Sequence, residues 1–167
     1  MIRLIILTCL LVLAALPARA HEPMTAERMA EIATALDETS EAQGNLISLT
    51  VEGVPVLIVY DVAADRMRAI TPIRSADGLD AAQMTRLLQA NFDTALDARY
   101  SVANGKLWAA FIHPLSALGK EDLISGIGQV VNLALTYGGT YSSGALSFGG
   151  GDSRGLIEDL LKRGERI

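Results

Sequence analysis

Between Leu46 and Pro72 the chain carries three extended runs, Leu46 to Val51, Val54 to Val62 and Met67 to Pro72, joined by Glu52-Gly53 and Ala63-Ala64-Asp65-Arg66. Connections this short close antiparallel hairpins and leave no room for a crossover between parallel strands. The runs are rich in Val, Ile, Leu and Thr, which suit a pleated surface. A further hairpin is marked by Asn104-Gly105, between Arg99 to Ala103 and Lys106 to Ile112, because a two-residue turn asks for positive φ and these residues accept it. An antiparallel sheet of five strands is predicted. The second run is apolar at nearly every position through Val56, Leu57, Ile58 and Val59, which suits a central strand covered on at least part of both faces.

Helical periodicity occupies the intervals. Met29, Ile32 and Leu36 recur at helical spacing within Thr25 to Gln43, and Gly44 follows as a C-terminal cap. Asp80 with Gln83 has the form of a capping box, ahead of Met84, Leu87, Leu88, Phe92 and Leu96, so a second helix is predicted to about Leu96. Leu123, Ile127, Val130, Val131 and Ala134 mark a third, from about Lys120 to Tyr137. Gly126 and Gly128 inside it each cost about 1 kcal/mol relative to alanine, offset by close packing on the sheet. A tail helix is predicted from Ser153 to Lys162. The fold class is α+β: helix, three strands, helix, two strands, helix and a C-terminal helix, with the helices largely on one face of the sheet.

The first twenty residues run Met1-Ile2-Arg3, an apolar stretch from Leu4 to Leu16, then Pro17-Ala18-Arg19-Ala20. This is the pattern of a secretory signal peptide cleaved between Ala20 and His21. The apolar stretch falls short of the about 20 residues that span a bilayer. The expected layout is a signal peptide over 1–20, an α+β domain over 21–137, a Gly/Ser-rich linker over 138–152 and a short helix within 153–167. Cleavage would leave 147 of the 167 residues, enough for one core. It would remove Cys9, the sole cysteine, and with it any disulfide, thiolate nucleophile or cysteine metal site. Loss of Arg3 and Arg19 would leave 12 basic against 19 acidic residues and move the net charge from -5 to -7. Such a balance argues against nucleic acid and anionic lipid as partners, since both select basic surfaces. A periplasmic or secreted protein, free of the membrane after cleavage, is expected.

The helix end Leu87-Leu88-Gln89-Ala90-Asn91, the hairpin from Ala98-Arg99-Tyr100-Ser101-Val102 to Leu107-Trp108-Ala109-Ala110, and the connector His113-Pro114-Leu115-Ser116-Ala117-Leu118 carry a resemblance. Over Thr25 to Tyr137 the chain resembles the YbjN family and the wider type III secretion chaperone-like fold. That resemblance implies a non-enzymatic protein that binds extended segments of client proteins, with homodimers the usual assembly.

The residues themselves offer several candidate sites. Arg66, Arg68 and Arg74 cluster about the third run and suit an acidic peptide, or else pair with Asp61 and Asp65. Tyr100 and Trp108 flank Asn104-Gly105 and form either a cross-strand pair or part of a protein-binding face. A copper site would use the new amino terminus and imidazole of His21, with His113 as a third nitrogen ligand. Asp93 and Asp97, one helical turn apart on the predicted helix, read as solvated rather than hydrolytic. Ser142, Ser143 and Ser153 lack the held histidine that serine chemistry needs. Gly126-Ile127-Gly128 and Gly149-Gly150-Gly151 lack the strand-to-helix setting of a phosphate loop. The expectation is an exported, non-enzymatic protein-binding or chaperone-like module without a cofactor, its partner a protein or peptide, engaged through Arg66, Arg68, Tyr100 and Trp108, or a second copy. The alternatives are a small-ligand or copper protein using His21 and His113 and, behind it, a hydrolase.

Overall fold

The computed structural model describes residues 23–142 and 154–165. The expected signal peptide, the Ala20/His21 junction, residues 143–152 of the expected linker and Ser153 lie outside the described residues.

Helix α1 spans Ala26–Leu36, and Thr25 caps it by accepting the Arg28 backbone N–H at 3.1 Å. It ends well short of the predicted Gln43, and Asp37 supplies the reason. One carboxylate oxygen of Asp37 accepts the Thr39 N–H at 2.9 Å and the Thr39 hydroxyl at 2.7 Å, while the other accepts the Thr50 N–H at 2.8 Å. A side chain that bonds backbone just ahead of itself competes with continued helix, and this one also ties the helix end to the sheet. The chain then forms β1, Glu41–Gln43, a sixth strand beyond the five predicted. Gly44, with φ +61°, opens the turn into β2 and does not cap a helix.

The remaining elements are β2 (Leu46–Val51), β3 (Val54–Asp61), β4 (Arg66–Ser75), α2 (Ala81–Asp93), β5 (Arg99–Ala103), β6 (Lys106–His113), a 3₁₀ turn (Leu115–Ala117), α3 (Lys120–Leu135) and α4 (Arg154–Gly164). The strands form one antiparallel sheet in the order β1-β2-β3-β4-β6-β5. Both two-residue hairpins anticipated from sequence are present, with φ +51° and +77° at Glu52-Gly53 and +51° and +70° at Asn104-Gly105. The capping box at α2 is formed in both directions, Gln83 N–H to Asp80 at 2.7 Å and Asp80 N–H to Gln83 at 3.0 Å. That helix stops at Asp93, so Asp97 is not one helical turn from it.

The helices cover one face of the sheet. α3 packs across β3, β4 and β6, α1 lies on β2, α2 flanks β5, and α4 rests on α3 and α1. Beneath them Ile47, Leu49, Val56, Ile58, Met67, Ala69, Leu107, Ala109 and Phe111 are buried from the sheet side, with Met29, Ile32, Leu87, Ile127 and Val130 from the helices. Burying each large aliphatic side chain contributes about 1.5–3 kcal/mol, so this layer is the main source of stability.

The two glycines of α3 do different work. A Cβ on Gly126 would stand 2.4 Å from the Phe111 ring, so α3 sits on β6 as closely as a helix backbone allows. Gly128 instead faces α4, where a Cβ would stand 2.8 Å from Ile157. Its absent side chain seats the tail helix, not the sheet. Docking of α4 is completed by fully buried Leu160, by Lys120 Nζ donating to the Gly164 carbonyl at 3.0 Å and by an Arg163–Glu52 ion pair at 3.2 Å. The described start of the Gly/Ser-rich stretch is also folded down. The carbonyl of buried Ser142 accepts from Asn132 Nδ2 at 2.6 Å, and the Tyr141 carbonyl accepts from the Thr94 hydroxyl at 2.6 Å.

Candidate protein-binding surface

Strand alternation sends every second side chain to the face opposite the helices. Register fixes which they are. One row across the sheet runs Leu46, Val59, Arg68, Ile112; the next runs Ser48, Leu57, Ile70, Ala110, Arg99; a third carries Pro72, Trp108 and Ser101. Among the described residues no helix lies over these rows. Leu57, Val59, Ile70, Pro72, Trp108 and Ala110 are half-buried, and Ile112 is 59% exposed. The near-continuous apolar run of β3, which in the sequence suits a central strand covered on at least part of both faces, is fully buried on one face and half-buried on the other. Its Val56 and Ile58 lie in the core, while Leu57 and Val59 belong to an uncovered apolar face.

That face is electrostatically unlike the rest of the chain. Arg66, Arg68, Arg99 and Lys106 fall at its register positions, against Asp61 and Glu41, and of these the Arg99 guanidinium turns back to donate to the Leu96 and Ala98 carbonyls at the rim of the face. The full sequence has a net charge of -5, so a basic excess here is a local feature. Arg68 stands between Val59 and Ile112, exposed, with no hydrogen bond or ion pair among the described residues. Arg66 lies opposite Asp61 and donates to the Asp65 carbonyl at 3.2 Å. Lys106 reaches over Trp108, its Nζ 6.0 Å from the ring centroid, and the indole N–H donates to the Ala103 carbonyl at 3.0 Å. The indole edge is thus satisfied, leaving the ring as contact area.

Of the residues singled out from sequence, Arg66, Arg68 and Trp108 share this face, and Arg74 and Tyr100 do not. A β-bulge between Pro72 and Arg74 shifts the register, so Arg74 pairs with Leu107, a residue of the helix-covered face. Tyr100 pairs with Ala109, one position off Trp108, which puts the two aromatics on opposite faces and rules out the cross-strand pair. Tyr100 is buried, donates its hydroxyl to the Leu133 carbonyl at 2.8 Å and meets Tyr137 and Tyr141 edge-on at 6.4 and 6.1 Å. Burial raises its pKa well above the usual phenol range. It is a core residue. Sequence reasoning missed Leu57, Ile70, Ile112, Arg99 and Lys106; for Ile70, Ile112 and Lys106 the signal was there in the even-numbered phase of β4 and β6, where apolar and basic residues alternate with the core phase.

A polar cleft of about 410 Å³ lies between the end of β6 and the start of α3, lined by Asp97, Arg99, His113, Asp122, Ser125 and Gln129, among others. Its groups are largely committed to the fold. Gln129 accepts the Asp97 and Ala98 N–H groups at 2.8 and 2.9 Å and donates to Asp97 and Ser125, both at 3.2 Å. Asp122 caps α3 through the Gly119 N–H at 3.1 Å. His113 keeps Nδ1 at 2.8 Å from the Pro114 carbonyl and stacks on Phe111. Among the described residues no group of three His, Cys, Asp or Glu side chains is placed to hold a metal ion. His21, the other half of the copper alternative, lies outside them.

No protein-family profile and no curated protein matches the chain. Among solved structures it is similar to the ExsC–ExsE complex, with 16% identity, TM-score 0.46, and coverage of 62% of this chain and 88% of that one. It is similar to the HopA1–SchA chaperone–effector complex at 11% identity and TM-score 0.49, covering 64% and 86%. The Yersinia pestis type III secretion chaperone SycH, solved with a stable fragment of YscM2, gives 14% identity and TM-score 0.47, covering 63% and 98%.

Proposed function

We propose that this chain is a non-enzymatic protein-binding module whose uncovered sheet face receives an amphipathic helix of another polypeptide, its apolar stripe flanked by carboxylates. The observation that carries this is the face itself: Leu57, Val59, Ile70, Pro72, Trp108 and Ile112 in one layer, with unpaired Arg68 among them and Arg66, Arg99 and Lys106 around them. A sheet with helices on one side buries its second apolar face by gaining a further layer, and a helix is the natural one. Side chains of a docked helix reach the face directly, whereas an added strand would need a sheet edge. Carboxylates beside the stripe would meet the four cations and select acidic partners over basic ones. The same reading takes the N-terminal pattern as an export signal, so that the module works outside the cytoplasm. Mass spectrometry of chain recovered from producing cells should find His21 first, and an intact Met1 end throughout would refute export by cleavage.

Trp108, the only tryptophan, reports on the face directly. Titration of the full chain with a synthetic helix-forming peptide, leucines along one stripe and glutamates beside it, should shift its emission to the blue in a saturable way. Added salt should weaken the response, because exposed charges are screened over about 8 Å at physiological ionic strength. The same peptide with lysine for glutamate should give no shift. Equal binding of both peptides, or of neither, would overturn the reading.

A further inference from the structure

The polar cleft between the end of β6 and the start of α3 holds opposite charges that do not meet. Asp97 and Arg99 line it from the entry to β5, His113 from the end of β6, and Asp122 and Ser125 from α3. The bonds that tie these groups to the fold leave a defined remainder. Arg99 commits only Nη1, to the Leu96 and Ala98 carbonyls, so Nε and Nη2 keep their N–H donors. Asp122 gives one oxygen to the Gly119 N–H and Asp97 gives one to the Gln129 amide, and each keeps the other. The Pro114 carbonyl can only accept, so His113 Nδ1 carries a proton and Nε2 is the nitrogen left over. Among the described residues Arg99 forms no ion pair with Asp97 or Asp122. Opposite charges on the walls of one cavity, with no contact between them, leave room for a molecule that bridges them.

We propose that the cleft binds a small zwitterion, a molecule with an ammonium at one end and a carboxylate at the other. The carboxylate takes Arg99, whose planar guanidinium suits it. The ammonium takes the remaining oxygens of Asp97 and Asp122, with His113 Nε2 a further acceptor in the neutral ring. The volume, about 410 Å³, falls within the range of about 300–1,000 Å³ usual for small-ligand pockets. Its walls are set before any ligand arrives. Gln129, only 2% exposed, holds the entry to β5 against α3 by accepting the Asp97 and Ala98 N–H groups. Phe111, seated against the bare backbone of Gly126, stacks on His113 with ring centroids 5.8 Å apart. Walls already ordered lower the entropy lost on binding. Charge then decides against simpler occupants, since an amine alone leaves Arg99 unmet and a carboxylate alone faces two like charges. Arg99 stands at the rim of both sites, but a zwitterion here needs no partner polypeptide and does not rest on the reading of the sheet face.

Amide chemical shifts of Asp97, Ala98, His113 and Ser125 in heteronuclear NMR spectra of the full chain report on the cleft. Glycine, γ-aminobutyrate and ε-aminocaproate present the two charges at increasing separation, whereas butylamine and butyrate present one each. At least one zwitterion should move these amides saturably, and the singly charged probes should bind at least about tenfold more weakly, the size of losing a hydrogen bond to a charged group. Arg99→Gln should weaken the zwitterion by about tenfold or more while leaving butylamine as it was. Asp122→Asn, whose amide oxygen can still cap α3 at Gly119, should weaken it likewise. Lys106→Gln, at the other end of β6, should change nothing. Far-ultraviolet circular dichroism verifies that the variants fold. The absence of a saturable shift with all three zwitterions, equal binding of the singly charged probes, or folded Arg99→Gln and Asp122→Asn chains that bind as the parent does, would overturn the proposal.

Discussion

Asp37 illustrates how a single carboxylate outweighs a periodic pattern. The apolar spacing of Met29, Ile32 and Leu36 says where α1 faces but not where it ends, and a glycine at position 44 offered an obvious stop. The actual stop is set by a contact with Thr50, thirteen residues on, that no local pattern encodes. Hydrogen bonds from the Thr39 hydroxyl, then the Thr50 and Thr39 N–H groups, hold the Asp37 pKa below its ordinary value. A group whose native pKa is depressed stabilises the fold above its unfolded pKa, near ~3.9, and loses that contribution as pH falls through the native value. Asp37→Ala is therefore expected to cost about 1 kcal/mol in denaturant melts at neutral pH, as loss of a capping carboxylate does. The gap to the parent should close on acidification below the ordinary carboxylate range. A difference that persists unchanged there would show that the bonds to the carboxylate are not what matters.

At the level of elements, legibility followed the reach of the physical signal. The turns at Glu52-Gly53 and Asn104-Gly105 are local chemistry, and β2 and β5 begin and end at the residues the sequence indicated. Short β1, with no buried residue and only three positions, carries no periodicity to detect. Gly128 was recognisable as a packing glycine but not assignable, because its partner, Ile157, lies in another helix far along the chain. That contact makes a specific prediction. Gly128→Leu should push against Ile157 and release α4, raising amide exchange across residues 154–164 by about tenfold or more while amides in β3, β4 and β6 remain protected, as expected when one locally stable unit opens. Uniform acceleration across the whole chain would show that α4 is integral to the cooperative core.

For the molecule as a whole, the sequence conveyed an antiparallel sheet with helices on one side but not the consequence of that one-sidedness. In β3 both phases are apolar, and a run of that kind reads equally as two buried faces or as one buried face and one left for a partner. Only the placement of the helices among the described residues on the Val56 and Ile58 side separates the cases. The cations were half legible: Arg66 and Arg68 were seen as a pair, the bulge that removes Arg74 was not, and Arg99 and Lys106 join them only through the β6 register. Tyr100 was misplaced by one register step, enough to move it to the opposite face. The central claim is that this face binds by apolar contact with a basic border, and a charge swap tests it most directly. Affinity of the leucine-and-glutamate peptide for the parent chain, for Arg68→Glu, and of the lysine peptide for each, can be followed by Trp108 emission. Arg68→Glu should lose the acidic peptide by about tenfold or more and gain the basic one, the reciprocal change expected of complementary charges. Unaltered preference in the Arg68→Glu chain would contradict it.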